Sequence, residues 1–153
     1  GYTVLLLDAD LRRPSFRAAN EDIGLTKLLT NDEDVLAHTA PTQFENLWLL
    51  PCGPIPPNPA DLLATARFGT VLEEAMIHYQ LVIIDSPPVI GLADAPLIAH
   101  SCHNVLFIVE SGVTRTRQAA ESLNRLEASG AHLLGGLLTK SAESEGGYDY
   151  YQY

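Results

Sequence analysis

Val4-Leu5-Leu6-Leu7-Asp8-Ala9-Asp10-Leu11-Arg12-Arg13-Pro14 carries four aliphatic residues straight into two carboxylates and then two cations. Four residues are too few for a stable helix. An unbroken aliphatic run, rather than an alternating one, suits a strand buried on both faces of a parallel sheet. Leu81-Val82-Ile83-Ile84-Asp85-Ser86-Pro87-Pro88 repeats the pattern: an aliphatic strand, an aspartate at its end, and prolines that fix the backbone beyond it. Residues 105–109 and 133–138 read the same way, the latter with Gly135 and Gly136 allowing close packing, and 46–50 is a fifth strand candidate.

Helical signals fall between these runs. Asn58-Pro59 pairs a capping side chain with proline at a first helical position. Leu62, Leu63, Ala66, Val71, Leu72, Ala75 and Met76 then keep helical spacing over 60–79. A second helix is expected over 114–129, capped by Thr114 and stopped by Gly130, and a shorter one over 94–100. Strands alternating with helices imply crossover units, hence an α/β fold with a mostly parallel sheet and helices on both faces. Ligands of such sheets bind at the carboxyl ends of the strands, where Asp8 and Asp85 stand.

The bulk numbers narrow the partners. A chain of 153 residues suits one domain. A formal net charge of -10 argues against nucleic acid, whose binding needs a basic face to displace counterions, and against direct adhesion to anionic lipid. Cys52 and Cys102 are far apart and read as free thiols of a reducing compartment. His38, His78, His100, His103 and His132 are scattered, and the loose pair His100/His103 reads as a helix end. The proline-dense loop 53–59 reads as a stiff connector.

Three features carry chemistry. The end of the first strand offers Asp8 and Asp10, carboxylates able to hold Mg²⁺ through water or to take a proton from an attacking hydroxyl. The strand ending in Asp85 has the form of a Walker B element, whose aspartate orients Mg²⁺ on nucleotide phosphates. The chain ends Tyr148-Asp149-Tyr150-Tyr151-Gln152-Tyr153, placing four of its six tyrosines where no core can use them. Phosphate on such a segment would add about -1.5 to -2 charges per site.

In this order and spacing the three features resemble the bacterial tyrosine kinases (BY-kinases) of capsule and exopolysaccharide synthesis. Residues 8–14 look like their Walker A′ motif and Asp85-Ser86-Pro87-Pro88 like their Walker B motif. Gly24-Leu25-Thr26 and Pro56-Pro57-Asn58-Pro59 before Leu62-Leu63 match the sequence between the motifs. The resemblance covers nearly the whole chain. It implies a P-loop NTPase-type (deviant Walker) fold and an ATP- and Mg²⁺-dependent protein-tyrosine autokinase. Asp8, Asp10 and Asp85 would be catalytic, with Asp8 deprotonating the tyrosine and Asp85 and Asp10 serving the metal. Arg12 and Thr139 would contact the nucleotide, and Tyr148, Tyr150, Tyr151 and Tyr153 would be acceptors. It further implies phosphorylation in trans within a ring-like homo-oligomer and a membrane-spanning chain-length-determinant (Wzz-like) activator, fused or separate. The kinase would serve the polysaccharide export machinery at the cytoplasmic face of the inner membrane.

The sequence also departs from the family. No Gly-x-x-x-x-Gly-Lys-[Ser/Thr] loop occurs in the 153 residues. The family carries that loop upstream of the Walker A′ strand. The expectation is therefore a kinase domain truncated before that strand (1–140, followed by a tyrosine-rich tail, 141–153), lacking the central member of its sheet and inactive alone. Thr139 stands where related ATPases often carry an adenine-contacting Asn, and Glu110 where many carry Arg. Two other readings compete: a partition or cell-division-site type P-loop ATPase, whose usual basic or amphipathic ending this acidic, tyrosine-rich tail does not match, and a non-catalytic docking remnant.

Overall fold

A computed structural model of the chain describes residues 1–16, 20 and 22–141. β1 (Val4–Asp8) runs parallel to β3 (Leu47–Leu50) on one side and to β4 (Leu81–Asp85) on the other. The two residues of β2 (Ala40–Pro41) add antiparallel to β3, giving the order β2-β3-β1-β4. That proline sits on an edge strand, where a missing ladder donor costs least. β5 (Asn104–Glu110) and β6 (His132–Thr139) pair in parallel as a second, two-stranded sheet. The mostly parallel α/β fold is thus present as two sheets, divided between β4 and β5.

The helices are α1 (Leu25–Thr30), α2 (Pro59–Leu63), α3 (Ala66–His78), α4 (Asp94–Cys102) and α5 (Thr116–Ala128), with a 3-10 turn over Val35–His38. The single helix expected over 60–79 is two. Thr65 turns extended between them, and its hydroxyl donates to the Leu62 carbonyl at 2.7 Å. Pro59 does open α2, but Asn58 makes no side-chain cap bond. α5 begins two residues after the expected Thr114, with Arg115 as its cap residue, and Gly130 stops it in the left-handed conformation at φ 84°.

The core lies on one face of the larger sheet. Leu5, Leu7 and Leu50 are sealed there under Leu25 and Leu28 of α1 and Phe68, Val71 and Ala75 of α3, with Val82 and Ile84 packed alongside. Alternation sends Val4 and Leu6 to the opposite face, where they are only half-buried. Their neighbours across the ladder, Leu81 and Ile83, are 46% and 48% exposed. In the smaller sheet Leu106 and Ile108 reach 54% and 59%. Burial on both faces, expected from the aliphatic runs, is therefore met on one face only.

One backbone crossing holds α1 against the end of β3. Gly24 sits at φ 128°, and a Cβ there would stand 2.4 Å from the Gly53 nitrogen. The amides of Leu25 and Thr26 donate to the carbonyls of Pro51 and Cys52 at 2.8 and 2.9 Å. Gly24 N–H donates to His38 Nδ1 at 3.0 Å, so Nε2 carries the proton and meets Glu33 at 2.7 Å. His38 is buried and structural.

Candidate active site

Parallel pairing of β1 with β4 sets Asp8 directly opposite Asp85 in the register. The two strands therefore deliver two carboxylates to one rim, and the Ala9 amide, donating to the Asp85 carbonyl at 2.8 Å, continues the ladder one step past them.

The carboxylates differ sharply in environment. Asp8 is fully buried. Its Oδ1 accepts the Asp10 amide at 3.1 Å and its Oδ2 the Phe16 amide at 2.8 Å, which folds the loop back over it. Burial raises its pKa above the ordinary carboxylate value, the amides oppose that, and the charge of Asp85 adds to it. Asp10 is half-buried and accepts the amides of Arg12 and Arg13 through Oδ1 alone, at 3.0 and 2.9 Å. Such a carboxylate-capped turn is the natural use of Asp two residues before its partner amide. Among the described residues, Oδ2 of Asp10 and both carboxylate oxygens of Asp85 accept no hydrogen bond from protein.

Arg12 is committed elsewhere. Its Nε donates to Asp94 Oδ2 at 2.6 Å and a terminal nitrogen to Oδ1 at 3.1 Å, a bidentate fork. Asp94 is fully buried, and its hydrogen bond holds the guanidinium above its usual pKa. Asp94 was read from sequence only as a helix start, because an acid in a first turn is commonplace and nothing local points to a cation 82 positions away. Phe16 was missed because it contributes only a backbone amide.

Thr139 stands apart from the carboxylates, at the end of β6 in the smaller sheet. Its hydroxyl donates to the Val109 carbonyl at 3.3 Å. Beside it Glu110 is paired with Lys140 at 2.8 Å, an exposed bridge of small energetic weight. Tyr148, Tyr150, Tyr151 and Tyr153 lie outside the described residues. Cys52, buried behind the rim, is no nucleophile: desolvation pushes its thiol up to about 11. No three His, Cys, Asp or Glu side chains among the described residues cluster as a metal cage. No described helix is long and apolar enough to cross a membrane.

No family model matches the chain. Individual relatives do. It is 32% identical to the tyrosine-protein kinase CpsD of Streptococcus agalactiae, over all of this chain and 69% of that protein. It is 34% identical to the tyrosine-protein kinase YwqD of Bacillus subtilis, over 99% of this chain and 65% of that one. Among solved structures, the chimerical protein CapA2B2 superposes with a TM-score of 0.82 at 34% identity, over 90% of this chain and 62% of the other. The cell division ATPase MinD of Pyrococcus furiosus superposes at 0.74, but at 21% identity that likeness speaks for the fold alone. The chain thus spans about two thirds of the length of these two kinases, and 21% of that of the tyrosine-protein kinase Wzc of Salmonella typhimurium, to which it is 31% identical.

Proposed function

The chain belongs to the bacterial tyrosine-protein kinases, and from that premise we propose that it supplies the base and the metal-facing carboxylates of an ATP-dependent protein-tyrosine autokinase serving capsule or exopolysaccharide polymerisation and export. The observation that carries this reading is the register of β1 with β4, which sets Asp8 against Asp85 with Asp10 two residues on.

The donor set fits Mg²⁺. The oxygens that accept no hydrogen bond among the described residues, on Asp10 and Asp85, are hard and few, and Mg²⁺ commonly takes one or two carboxylates and keeps its remaining positions for water and phosphate oxygens. Asp85 and Asp10 would hold the ion, and when bound it would neutralise charge on the transferring phosphoryl group. Asp8 is the base. Its raised pKa brings it nearer to proton exchange at working pH than an exposed aspartate. Two amides occupy two of the roughly four acceptor positions of a carboxylate, so capacity for a phenol proton remains. As the tyrosine O–H gives its proton to Asp8, the phenolic oxygen bonds to the γ-phosphorus. The bridging P–O bond breaks, and ADP departs with its electrons.

The phosphate-gripping Gly-x-x-x-x-Gly-Lys-[Ser/Thr] loop is not among the 153 residues. The reading therefore concerns a protein in which such a loop is joined to this chain, with 1–140 as its partial kinase domain and 141–153 as a substrate tail bearing Tyr148, Tyr150, Tyr151 and Tyr153. Arg12 serves the site indirectly here, and Thr139 would contact the nucleotide. Phosphorylation in trans within a ring of like subunits would bring the acceptor segment of one subunit to the carboxylate rim of another. Added charge would then drive the tail from its neighbour. Residence at the cytoplasmic face of the membrane beside a chain-length-determinant activator completes the proposal.

The test is phosphotyrosine mass spectrometry on that longer protein with Mg-ATP. Asp8→Asn is expected to lower tail phosphorylation by about 10²-fold or more, the lower range of general-base contributions. ATP hydrolysis without phosphotyrosine in the wild type would favour the positioning-ATPase reading. Neither activity would favour a docking remnant.

A further inference from the structure

We propose that Asp94 is a positioning residue for the metal-facing carboxylate of Asp10, acting through Arg12. This rests on the kinase reading above and extends it to a residue that touches neither nucleotide nor tyrosine.

The loop after β1 has no regular structure over 11–13, yet it must present Asp10 in one orientation. What fixes it locally is the pair of amides from Arg12 and Arg13 that converge on Asp10 Oδ1. Those amides stay in place only if Arg12 does. Arg12 is held at its far end, where both oxygens of the buried Asp94 take its fork. A bidentate pair constrains orientation as well as distance, which a single contact or a lysine would not. Asp94 is the first residue of α4, whose N-terminal dipole favours its charge.

α4 is itself anchored on the other side of the site. It follows the loop 86–93 that leaves Asp85, and Arg125 of α5 pins that loop by donating to the carbonyls of Val89 and Leu92 at 3.0 and 2.9 Å. The ion pair therefore bridges the loops behind the two carboxylates. With Arg12 clamped, Oδ1 of Asp10 stays committed to the loop amides, and Oδ2, which accepts no hydrogen bond among the described residues, is the oxygen left for a metal. If the fork existed only for stability, apolar residues at both positions would serve as well, since replacing both members of a pair with a desolvated charge, here the fully buried Asp94, is often neutral or stabilising.

That alternative defines the experiment. In a longer protein that joins a phosphate-binding loop to this chain, Asp94→Asn, Arg12→Lys and the double change Arg12→Met/Asp94→Leu are compared with wild type. Mn²⁺ binding is followed by electron paramagnetic resonance, and amide exchange is measured at Arg12 and Arg13. The expected result is a rise of about 10-fold or more in the Mn²⁺ concentration for half-saturation, the range for losing an outer-shell partner. It should appear in all three variants, with faster exchange at both amides and little change in ATP KM at saturating metal. The double variant should keep its unfolding midpoint while losing metal affinity, separating positioning from stability. Unchanged Mn²⁺ affinity in the folded double variant would overturn the inference. Asp85→Asn is the control for the underlying reading: if it leaves Mn²⁺ binding intact, the metal assignment fails and this inference falls with it, whatever Asp94 does.

Discussion

The two sheets are built from the same kind of strand and meet different fates. β1 and β4 are short aliphatic runs, and so are β5 and much of β6. Leu5 and Leu7 are fully buried beneath α1 and α3, whereas Leu106 and Ile108 stand more than half exposed. Aliphatic composition tells what a strand is fitted to face, and a neighbouring element decides whether it faces it. Within these residues the larger sheet carries its own cover on one side, and the smaller sheet meets α4 through β5 over only part of its surface.

The largest expected effect tests the sealed side. Phe68→Ala removes a fully buried ring from the α3 layer and should cost about 3–5 kcal/mol in urea unfolding. Ile108→Ala, at 59% exposure, should cost under about 1 kcal/mol in the same chain. In a longer protein that covers this face the second value should rise toward the ~2–4 kcal/mol of a core aliphatic. A cost as small there as in the 153-residue chain would mean the face stays open.

A smaller effect contrasts two glycines with positive φ. Gly24→Ala drives a Cβ to 2.4 Å from backbone at the α1–β3 crossing and should cost more than about 2 kcal/mol, strain and clash combined. Gly91→Ala, at φ 85° with open space around it, should cost about 1 kcal/mol from backbone strain alone. Equal costs would show that the crossing can relax.

The smallest effect is electrostatic and has opposite signs at two carboxylates. Asp8 has a folded-state pKa above its unfolded value because of burial. Its contribution to stability is complete below the unfolded value of 3.8 and is lost as pH rises through the folded one. Glu33 is held below 4.5 by its hydrogen bonds from Asn31 and His38. Its contribution is present above 4.5 and is lost as pH falls through the folded value. Carboxyl-carbon NMR titration should place Asp8 above its reference and Glu33 below. Coincident midpoints would remove the distinction between the buried rim carboxylate and the surface one.

Much of the fold could be read from sequence because its strands are written as uninterrupted aliphatic runs, and the catalytic candidates Asp8 and Asp85 could be read because each ends such a run. What could not be read was relational. The break at Thr65 hides inside apolar spacing that continues unchanged from Leu62 to Ala75. β2 is two residues long and holds a proline, so no periodicity announces it. The register that sets Asp8 against Asp85, and the fork joining Arg12 to Asp94, depend on residues more than 75 positions apart, beyond any local pattern. The partial cover of β5 and β6 could not be read either, since side-chain type carries no record of which neighbour is at hand.

Trp48 offers a practical dividend. It is the sole tryptophan of the chain, and its ring centroid lies 5.8 Å from that of Tyr79 in a tilted stack. This fluorophore sits on β3, against the helix-covered core. Its emission should therefore report the melting of that half while staying blind to fraying of β5 and β6, so an optical trace and a backbone-sensitive one taken together would time the two halves separately.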